Sequence, residues 1–219
     1  MNRRSFVAAG AAAAPVLAAP AIAQTLNPEV RWRMQSSFGR NLDILFFGAE
    51  QVSKRVAELT DNRFQIRAFP AGEIAPALQV LDAVQNGTIE CGQTPLYWYI
   101  GKDPALTFFT SIPFGGNFRQ QGAWMKRGGG NELCSEMLRE FNCVGFLLGD
   151  TGTQMGGWFR NEIRSLSDLN GLKFRIAGMG GQVFQRLGAS PALIAGADVY
   201  PALERGTIDA AEWVGPHDD

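Results

Sequence analysis

One short pattern occurs twice in this chain and constrains its fold more than any other feature. Residues 87–93 read Gly-Thr-Ile-Glu-Cys-Gly-Gln, and residues 206–212 read Gly-Thr-Ile-Asp-Ala-Ala-Glu. Each copy follows the apolar end of a predicted helix and leads into a predicted strand that ends on a polar side chain, Gln93 or Glu212. Strand ends that face loops usually present ligand-binding groups. The repeat therefore predicts two similar lobes with a cleft between them, an arrangement typical of binding proteins.

The first 23 residues predict a twin-arginine export signal. Paired arginines at positions 3 and 4 precede a weakly apolar, alanine-rich run that ends on Ala-Ile-Ala, a small-x-small cleavage site. A short amphipathic or membrane helix is the alternative, but two prolines interrupt the run, which is also too short to span a bilayer. We therefore leave residues 1–23 out of the fold and expect the mature protein to be periplasmic.

Charge and hydropathy exclude two classes of partner. Without the signal the chain carries 18 basic and 21 acidic residues and no basic stripe, so we expect no nucleic acid partner. No later segment has eighteen consecutive apolar residues, so we expect no membrane insertion of the mature chain. The three cysteines lack metal-ligand spacing. A Cys134–Cys143 pair remains an alternative to three small buried residues, the interpretation that we favour.

Strands and helices alternate along the first part of the sequence, which predicts an α/β fold with a largely parallel sheet. Residue periodicity predicts strands over 30–34, 64–68 and 88–93, and helices over 42–59 and 77–85. Further helices are predicted over 123–130 and 132–141. The apolar run 144–148 predicts a strand buried on both faces. We divide the chain near Asp150, with a first α/β lobe over 24–150.

The rest of the chain, residues 151–219, predicts part of a second α/β lobe. A capped helical turn at 165–171 leads to a strand over 172–176, and a helix at 182–187 leads to a strand at 192–194. A helix at 200–205 precedes the strand that ends at Glu212. The last residues read as a turn rather than as the end of an element. A two-lobed fold needs more strands here, so we expect this sequence to be a fragment.

Arg175 is the first candidate binding residue. In the predicted strand 172–176, Lys173 and Arg175 share one face and the apolar residues share the other. An ordinary solvated strand face is one interpretation, and the spacing alone favours it. The other is that the planar guanidinium grips a carboxylate through two hydrogen bonds. The three glycines between residues 178 and 181 would let a ligand approach the backbone closely.

Further candidates lie near other predicted strand ends. Gln154 stands in a loop of small residues and offers an amide donor and acceptor. Glu212 and Trp213 could supply carboxylate and backbone oxygens to a hard cation, although a surface acid beside a core tryptophan fits the sequence equally well. Tyr97 and Tyr99 could wall a ligand pocket or simply pack.

Enzyme signatures are mostly missing. The single histidine, His217, argues against a His-based triad or a His-rich metal site, and neither a Gly-x-Ser-x-Gly elbow nor a phosphate-binding loop occurs. Residues 178–183 follow a predicted strand and open a helix as a dinucleotide fingerprint would, but Val183 replaces its third glycine. We therefore expect a binding protein and not an enzyme.

Several long runs of residues resemble one known family. They are residues 36–38, 69–73, 99–104, 152–160, 171–175, 200–209 and 212–216. In these runs, and in its export signal, the chain is similar to the periplasmic solute-binding subunits of tripartite ATP-independent periplasmic (TRAP) transporters. Within that family it resembles the branch that binds 2-oxo acids such as pyruvate. The resemblance covers essentially the whole chain.

The resemblance implies a role for each candidate. Arg175 would hold the substrate carboxylate. Gln154 and Glu212, with the backbone carbonyl of Trp213, would ligate a sodium ion that also meets the carboxylate and keto oxygens of the substrate. Tyr97 or Tyr99 would line the pocket. The near alternative is the same scaffold binding lactate or another small carboxylate, with calcium in place of sodium.

The resemblance also implies a working cycle and partners. Two α/β lobes would close reversibly on the ligand and deliver it to the membrane permease subunits. Members of the branch continue past the position of Asp219 with a long helix linked to dimer formation, so a homodimer is implied for the full-length protein. A more distant alternative, an exported nucleotide-cofactor oxidoreductase, rests on the incomplete glycine fingerprint.

Overall fold

The computed structural model describes residues 29–110, 112–216 and 219, so the predicted export signal lies outside the described residues. Two β-sheets organise this part of the chain. The strands of the first sheet are β1 (Val30–Ser36), β2 (Phe64–Phe69) and β3 (Cys91–Gln93). Those of the second are β4 (Trp158–Phe159), β5 (Lys173–Arg175), β6 (Ser190–Ala192) and β7 (Ala210–Ala211).

Strand order shows that the two sheets are built in a similar way. The first has the order β2-β1-β3 and is parallel throughout. The second has the order β4-β7-β5-β6, in which only β4 runs antiparallel to its neighbour. The predicted α/β class with a largely parallel sheet is therefore confirmed.

Six α-helices of the described residues accompany the sheets. Four of them belong with the first sheet, and the sheet and these helices together are called the first lobe: α1 (Asp43–Leu59), α2 (Val80–Gln85), α3 (Phe118–Arg127) and α4 (Gly130–Arg139). Two belong to the second sheet, which together with them forms the second lobe: α5 (Gly178–Arg186) and α6 (Gly196–Glu204). Among the described residues, none of the helices has both the length and the apolar character needed to cross a membrane.

The repeated sequence pattern forms the same local structure in both lobes. Gly87 and Gly206 each follow a helix with a φ of +70°, a left-handed conformation that glycine adopts without strain. The next N–H donates back to the helix in each copy, from Thr88 to Ala83 at 2.8 Å and from Thr207 to Ala202 at 2.9 Å. The isoleucine that follows is buried in both lobes. Each copy then pairs in parallel with a central strand, so that both copies end at corresponding edges of their sheets.

Several element boundaries differ from those predicted. Helix α3 begins five residues earlier than expected, because Asn117 and Gln120 form a capping box in which each side chain accepts from the other's backbone N–H. Helices α5 and α6 also begin earlier, directly after short strands. The first turn of α5 is rich in glycine, and that of α6 consists mostly of small or polar residues, so neither carries the apolar periodicity on which the prediction relied.

The prediction of a buried strand over 144–148 is wrong. Residues 143–150 have no regular secondary structure, and the side chains of Val144 and Phe146 are 74% and 90% exposed. Leu148 packs against α1 at Gly48, and the backbone at Gly145 lies against Leu138. An apolar run forms a strand only beside a partner strand, and the part of the chain that is described places none next to it.

The two lobes touch through an apolar cluster. Its buried members from the first lobe are Leu81, Trp98, Tyr99, Leu106, Met125, Cys134 and Leu138. Ala177, at the end of β5 in the second lobe, is buried in the same cluster, and Trp213 packs at its margin. The three cysteines are unpaired in the described residues, and Cys134 is buried as expected, whereas Cys91 and Cys143 are only partly buried. The contact brings the ends of β5 and β7 close to the first lobe.

Candidate functional site

Arg175 is the most deeply buried charged residue of the described chain, with 1% of its surface exposed. Its Nη1 donates to the backbone carbonyl of Glu212 at 2.6 Å and lies 3.4 Å from the Glu212 Oε2 atom. Its Nε donates to the carbonyl of Ile194 at 3.3 Å. Within the described residues Nη2 is buried without a hydrogen-bond partner. Such a donor is costly unless an acceptor from outside the chain meets it.

The two basic residues of the strand that carries Arg175 have different environments. Lys173 is exposed, as expected of a solvated strand face, whereas Phe174 and Arg175 are both buried. Strands β6 and β7 flank β5 on both sides, so the end of β5 lies inside the second lobe. Burial lowers the pKa of Arg175, and the Tyr97, Glu212 and Asp219 side chains oppose that shift. A solvated face is the wrong interpretation for Arg175.

Glu212 follows β7 directly and places a carboxylate beside this arginine. Its side chain is 13% exposed. Burial raises the pKa of Glu212 to about 7, with the Asp219 carboxylate adding to the shift and Arg175 opposing it. A carboxyl group with this pKa is close to half ionised at neutral pH. A bound cation would favour the ionised form of Glu212, so binding of a cation here would be coupled to release of a proton.

Gln154 faces the same carboxylate from the loop before β4. One terminal atom of its amide lies 2.7 Å from Glu212 Oε1 and 3.1 Å from the backbone oxygen of Trp213, and the other lies 3.0 Å from Thr151 Oγ1. With nitrogen on the Glu212 side, the amide donates to both oxygens. With oxygen on that side, three oxygen atoms converge without a hydrogen between them, as they do around a metal cation.

Aromatic side chains from both lobes complete the site. The guanidinium carbon of Arg175 lies 4.6 Å from the ring centroid of Trp213, within the range of a cation–π contact. Tyr97 approaches from the first lobe and lies against Gly178, where an added Cβ would be 2.8 Å from Tyr97 Cδ2. Burial raises the pKa of Tyr97, and the nearby charges of Glu212 and Arg175 raise and lower it respectively. The Tyr97 side chain therefore lies close to both charged groups.

Tyr99 has a different environment. It is buried in the apolar cluster, and its hydroxyl accepts from the Leu81 N–H at 3.1 Å and lies 2.9 Å from Thr94 Oγ1. These contacts tie Tyr99 to the first lobe. Of the residues predicted from the sequence, the structure brings together Arg175, Glu212, Gln154, Trp213 and Tyr97.

The structure adds neighbours that the sequence did not reveal. The carbonyl of Ile194 orients Arg175, and Thr151 fixes one end of the Gln154 amide. Asp219 holds the turn after Trp213, because its Oδ1 accepts from Val214 N–H at 2.9 Å and Gly215 N–H at 3.0 Å. The sequence could not predict these contacts, because any residue type can offer a backbone carbonyl and contacts made by loops follow no periodic pattern.

The donor set favours binding over turnover. A buried guanidinium with one unsatisfied donor atom suits a small anion, and the oxygens beside it suit a hard cation. Among the described residues no group of three or more His, Cys, Asp or Glu side chains gathers as a metal site. A cation here would therefore depend on amide and carbonyl oxygens as well as on Glu212.

Two α/β lobes with a buried arginine near their contact are the arrangement expected of a solute-binding protein. The sequence profile of bacterial extracellular solute-binding proteins, family 7, matches residues 36–218. The chain belongs to this family, which confirms the resemblance drawn from its sequence. The family consists of solute-binding proteins of transport systems, so it argues against the oxidoreductase alternative.

Individual relatives are similar over most of this chain. A monocarboxylate 2-oxoacid-binding periplasmic protein of Nostoc sp. is 53% identical, over 100% of this chain and 62% of its own. A TRAP solute-binding protein of Bordetella bronchiseptica was solved as a mixed-occupancy dimer with calcium and picolinate. It is 52% identical to this chain, and the two superpose with a TM-score of 0.85 over 88% of this chain and 57% of the relative. One from Pseudoalteromonas atlantica, solved with sodium and pyruvate, is 44% identical with a TM-score of 0.84 over 87% of this chain and 58% of its own. The chain thus spans about 60% of the length of these relatives.

Proposed function

We propose that this protein is the periplasmic solute-binding subunit of a TRAP transporter. It captures a 2-oxo monocarboxylate such as pyruvate with a bridging sodium ion and delivers it to membrane permease subunits. The observation that carries the proposal is the buried Nη2 of Arg175, which has no partner among the described residues. Its neighbour Nη1 contacts Glu212, and the Gln154 amide contacts both Glu212 and Trp213. The ligands of the relatives support the same assignment.

Arg175 would bind the carboxylate of the substrate. Its Nε and Nη1 are already used by carbonyl groups, which fixes the plane of the guanidinium and leaves Nη2 to meet a ligand oxygen. A group oriented in this way loses little freedom when it binds, so its hydrogen bond contributes more of its strength to affinity. The Tyr97 side chain would close the same space from the first lobe.

A cation fits the remaining oxygens. Gln154 Oε1, Glu212 Oε1 and the Trp213 carbonyl would hold it, in the amide orientation that turns oxygen toward Glu212. When bound, the ion supplies positive charge that offsets the carboxylates of Glu212 and of the substrate. Only one of the three protein ligands is charged, which favours sodium, whereas calcium is the ion in the Bordetella relative.

The same proposal includes the cellular setting. Residues 1–23 would direct twin-arginine export to the periplasm, and the lobes would divide near Asp150. The full-length protein would form a homodimer, as the solved dimer of the Bordetella relative suggests. Lactate or another small carboxylate bound with calcium is the second candidate function, because calcium and picolinate occupy that relative.

Calorimetric titration of the purified protein tests the proposal. Pyruvate is titrated in sodium buffer, in choline buffer and in choline buffer with calcium, after circular dichroism has shown that the chain is folded. We expect binding that requires sodium. Binding that requires calcium would favour the second candidate, and binding in choline alone would remove the cation from the site. A folded chain that binds neither pyruvate nor lactate in any buffer would contradict the proposed function.

A further inference from the structure

Gly196, the first residue of α6, lies at a point where the two lobes meet. A Cβ atom on this residue would be 2.7 Å from Cη2 and 3.1 Å from Cζ2 of Trp213, and 3.0 Å from Cδ1 of Leu42. Leu42 precedes α1 in the first lobe, whereas Gly196 and Trp213 belong to the second. The missing side chain therefore leaves the space in which Trp213 and Leu42 approach α6.

Trp213 connects this contact to the candidate site in two ways. Its ring lies 4.6 Å from the guanidinium carbon of Arg175, and its backbone oxygen lies 3.1 Å from the Gln154 amide. Gly196 contacts the outer edge of the same ring. A group at Gly196 that displaced the ring would thus disturb the anion-binding arginine and the cation-binding oxygens together.

We propose that Gly196 is a positioning residue, which lets Trp213 lie against Arg175 while Leu42 of the first lobe packs beside it. The inference uses the proposed function only for its ligand measurement. Contacts below 3.0 Å are not tolerated between carbon atoms, so a methyl group at this position must move the indole, the helix or the first lobe. Each of these movements would weaken the bound arrangement.

The chain offers a matched control for this substitution. Gly122 lies within α3, and a Cβ atom there would meet nothing within 4 Å. Neither glycine has a positive φ, so alanine fits the backbone at both positions. Glycine-to-alanine changes at such helical positions ordinarily stabilise a protein. If Gly196→Ala weakens ligand binding and Gly122→Ala does not, the loss of affinity therefore comes from the contact with Trp213 and Leu42 and not from the change in backbone propensity.

A double-mutant cycle tests the route of the effect. Gly196→Ala is compared with Gly122→Ala, and is also made in a Trp213→Phe background, which lacks the outer ring that Gly196 contacts. We expect Gly196→Ala to weaken pyruvate binding at least about tenfold and Gly122→Ala to leave it unchanged. In the Trp213→Phe background the same change at Gly196 should alter affinity less than about threefold.

Two results would overturn the inference. One is a pyruvate affinity of Gly196→Ala equal to that of Gly122→Ala, and the other is an equal loss whether Trp213 is present or replaced by phenylalanine. If the unsubstituted protein binds no pyruvate, the proposed function fails. The unfolding midpoints of the same variants are then measured in urea without ligand. Coupled unfolding midpoints would then support the contact at Gly196, and additive midpoints would refute it.

Discussion

Arg175 and Glu212 are joined by two hydrogen bonds, and each residue donates one of them and accepts the other. The Glu212 carbonyl accepts from Arg175 Nη1 at 2.6 Å, and the Arg175 carbonyl accepts from the Glu212 backbone N–H at 2.9 Å. Because β5 and β7 are neighbours in the second sheet, the main chain itself sets the distance between the guanidinium and the carboxylate. The two groups proposed to bind the anion and the cation are therefore held in one frame by the main chain.

Replacing Arg175 with lysine should weaken pyruvate binding about 10- to 100-fold. Lysine keeps the charge, but its donors all lie on one nitrogen, so it cannot reach both carbonyls that hold the guanidinium and also place a donor where Nη2 lies. Calorimetry gives the dissociation constant directly. Arg127→Lys, on the exposed surface of α3, is the control and should bind as the unsubstituted protein does. Equal affinity of the two variants would remove Arg175 from the site.

Glu212 should make stability depend on pH between about 4.5 and 7. Its pKa is raised from 4.5 to about 7, so the folded chain keeps a proton in this window that the unfolded chain releases. The free energy of unfolding should therefore fall as the pH rises through the window, by on the order of 3 kcal/mol. Urea unfolding at pH 4.5 and pH 8, without sodium or ligand, measures the change.

Glu212→Gln should abolish that pH dependence, because the amide does not titrate. Glu90→Gln serves as the control, since Arg33 lowers the pKa of Glu90 to about 2 and its ionisation changes only below the window. Its stability contribution is present above pH 4.5 and declines as the pH falls toward 2. A Glu212→Gln variant that loses as much stability between pH 4.5 and pH 8 as the parent would refute the role given to burial.

Gln154→Leu should reduce the sodium dependence of ligand binding. Leucine has nearly the same volume but removes the amide that faces Glu212 and Trp213, and with it the oxygen proposed to bind the cation. We therefore expect about tenfold weaker pyruvate binding at low sodium concentration. A sodium titration at fixed pyruvate concentration measures this. Gln185→Leu, on the exposed side of α5, is the control. An unchanged sodium midpoint in Gln154→Leu would show that the amide binds no cation.

The two tyrosines should respond differently to loss of their hydroxyl groups. Tyr99→Phe leaves the Leu81 N–H in the first turn of α2 without its acceptor, so unfolding should require about 1–3 kcal/mol less while affinity is kept. Tyr97→Phe should instead lower pyruvate affinity about threefold to tenfold, with stability changed by less than about 0.5 kcal/mol. Urea unfolding and calorimetry on both variants decide the matter. The reverse pattern would place Tyr99 in the site.

Local signals made much of this structure predictable. The alternation at β2 and the helical period of α1 follow directly from apolar spacing, because each of these elements buries one face. The alternation over 30–34 also located β1, although that strand is exposed over 30–33 and buried over 34–36. The repeated Gly-Thr-Ile pattern predicted matching turns because a left-handed glycine and the buried isoleucine after it are both local requirements. Arg175 and Glu212 could be selected as candidates because strand ends that face loops often present binding groups, although spacing alone did not separate that role from a solvated position.

Other features depend on residues far away in the sequence. Whether Arg175 is solvated or buried depends on β6 and β7, which flank it only in the folded sheet. Tyr97 and Tyr99 lie two residues apart in one 3₁₀ helix with about three residues per turn, so they point in different directions. Their spacing alone does not say which one faces Arg175. The contact of Gly196 with Trp213 and Leu42 likewise joins three distant segments.

The exposed apolar run at 144–148 bears on how this chain behaves in concentrated solution. It reads Val-Gly-Phe-Leu-Leu, carries no charge and no proline, and its backbone lies outside any sheet. Uncharged β-prone runs with unpaired backbone groups are the segments through which protein chains stick to one another. We therefore expect the run 144–148 to promote self-association of this chain, and the single substitution Phe146→Lys to reduce it by placing a charge in the middle of the run.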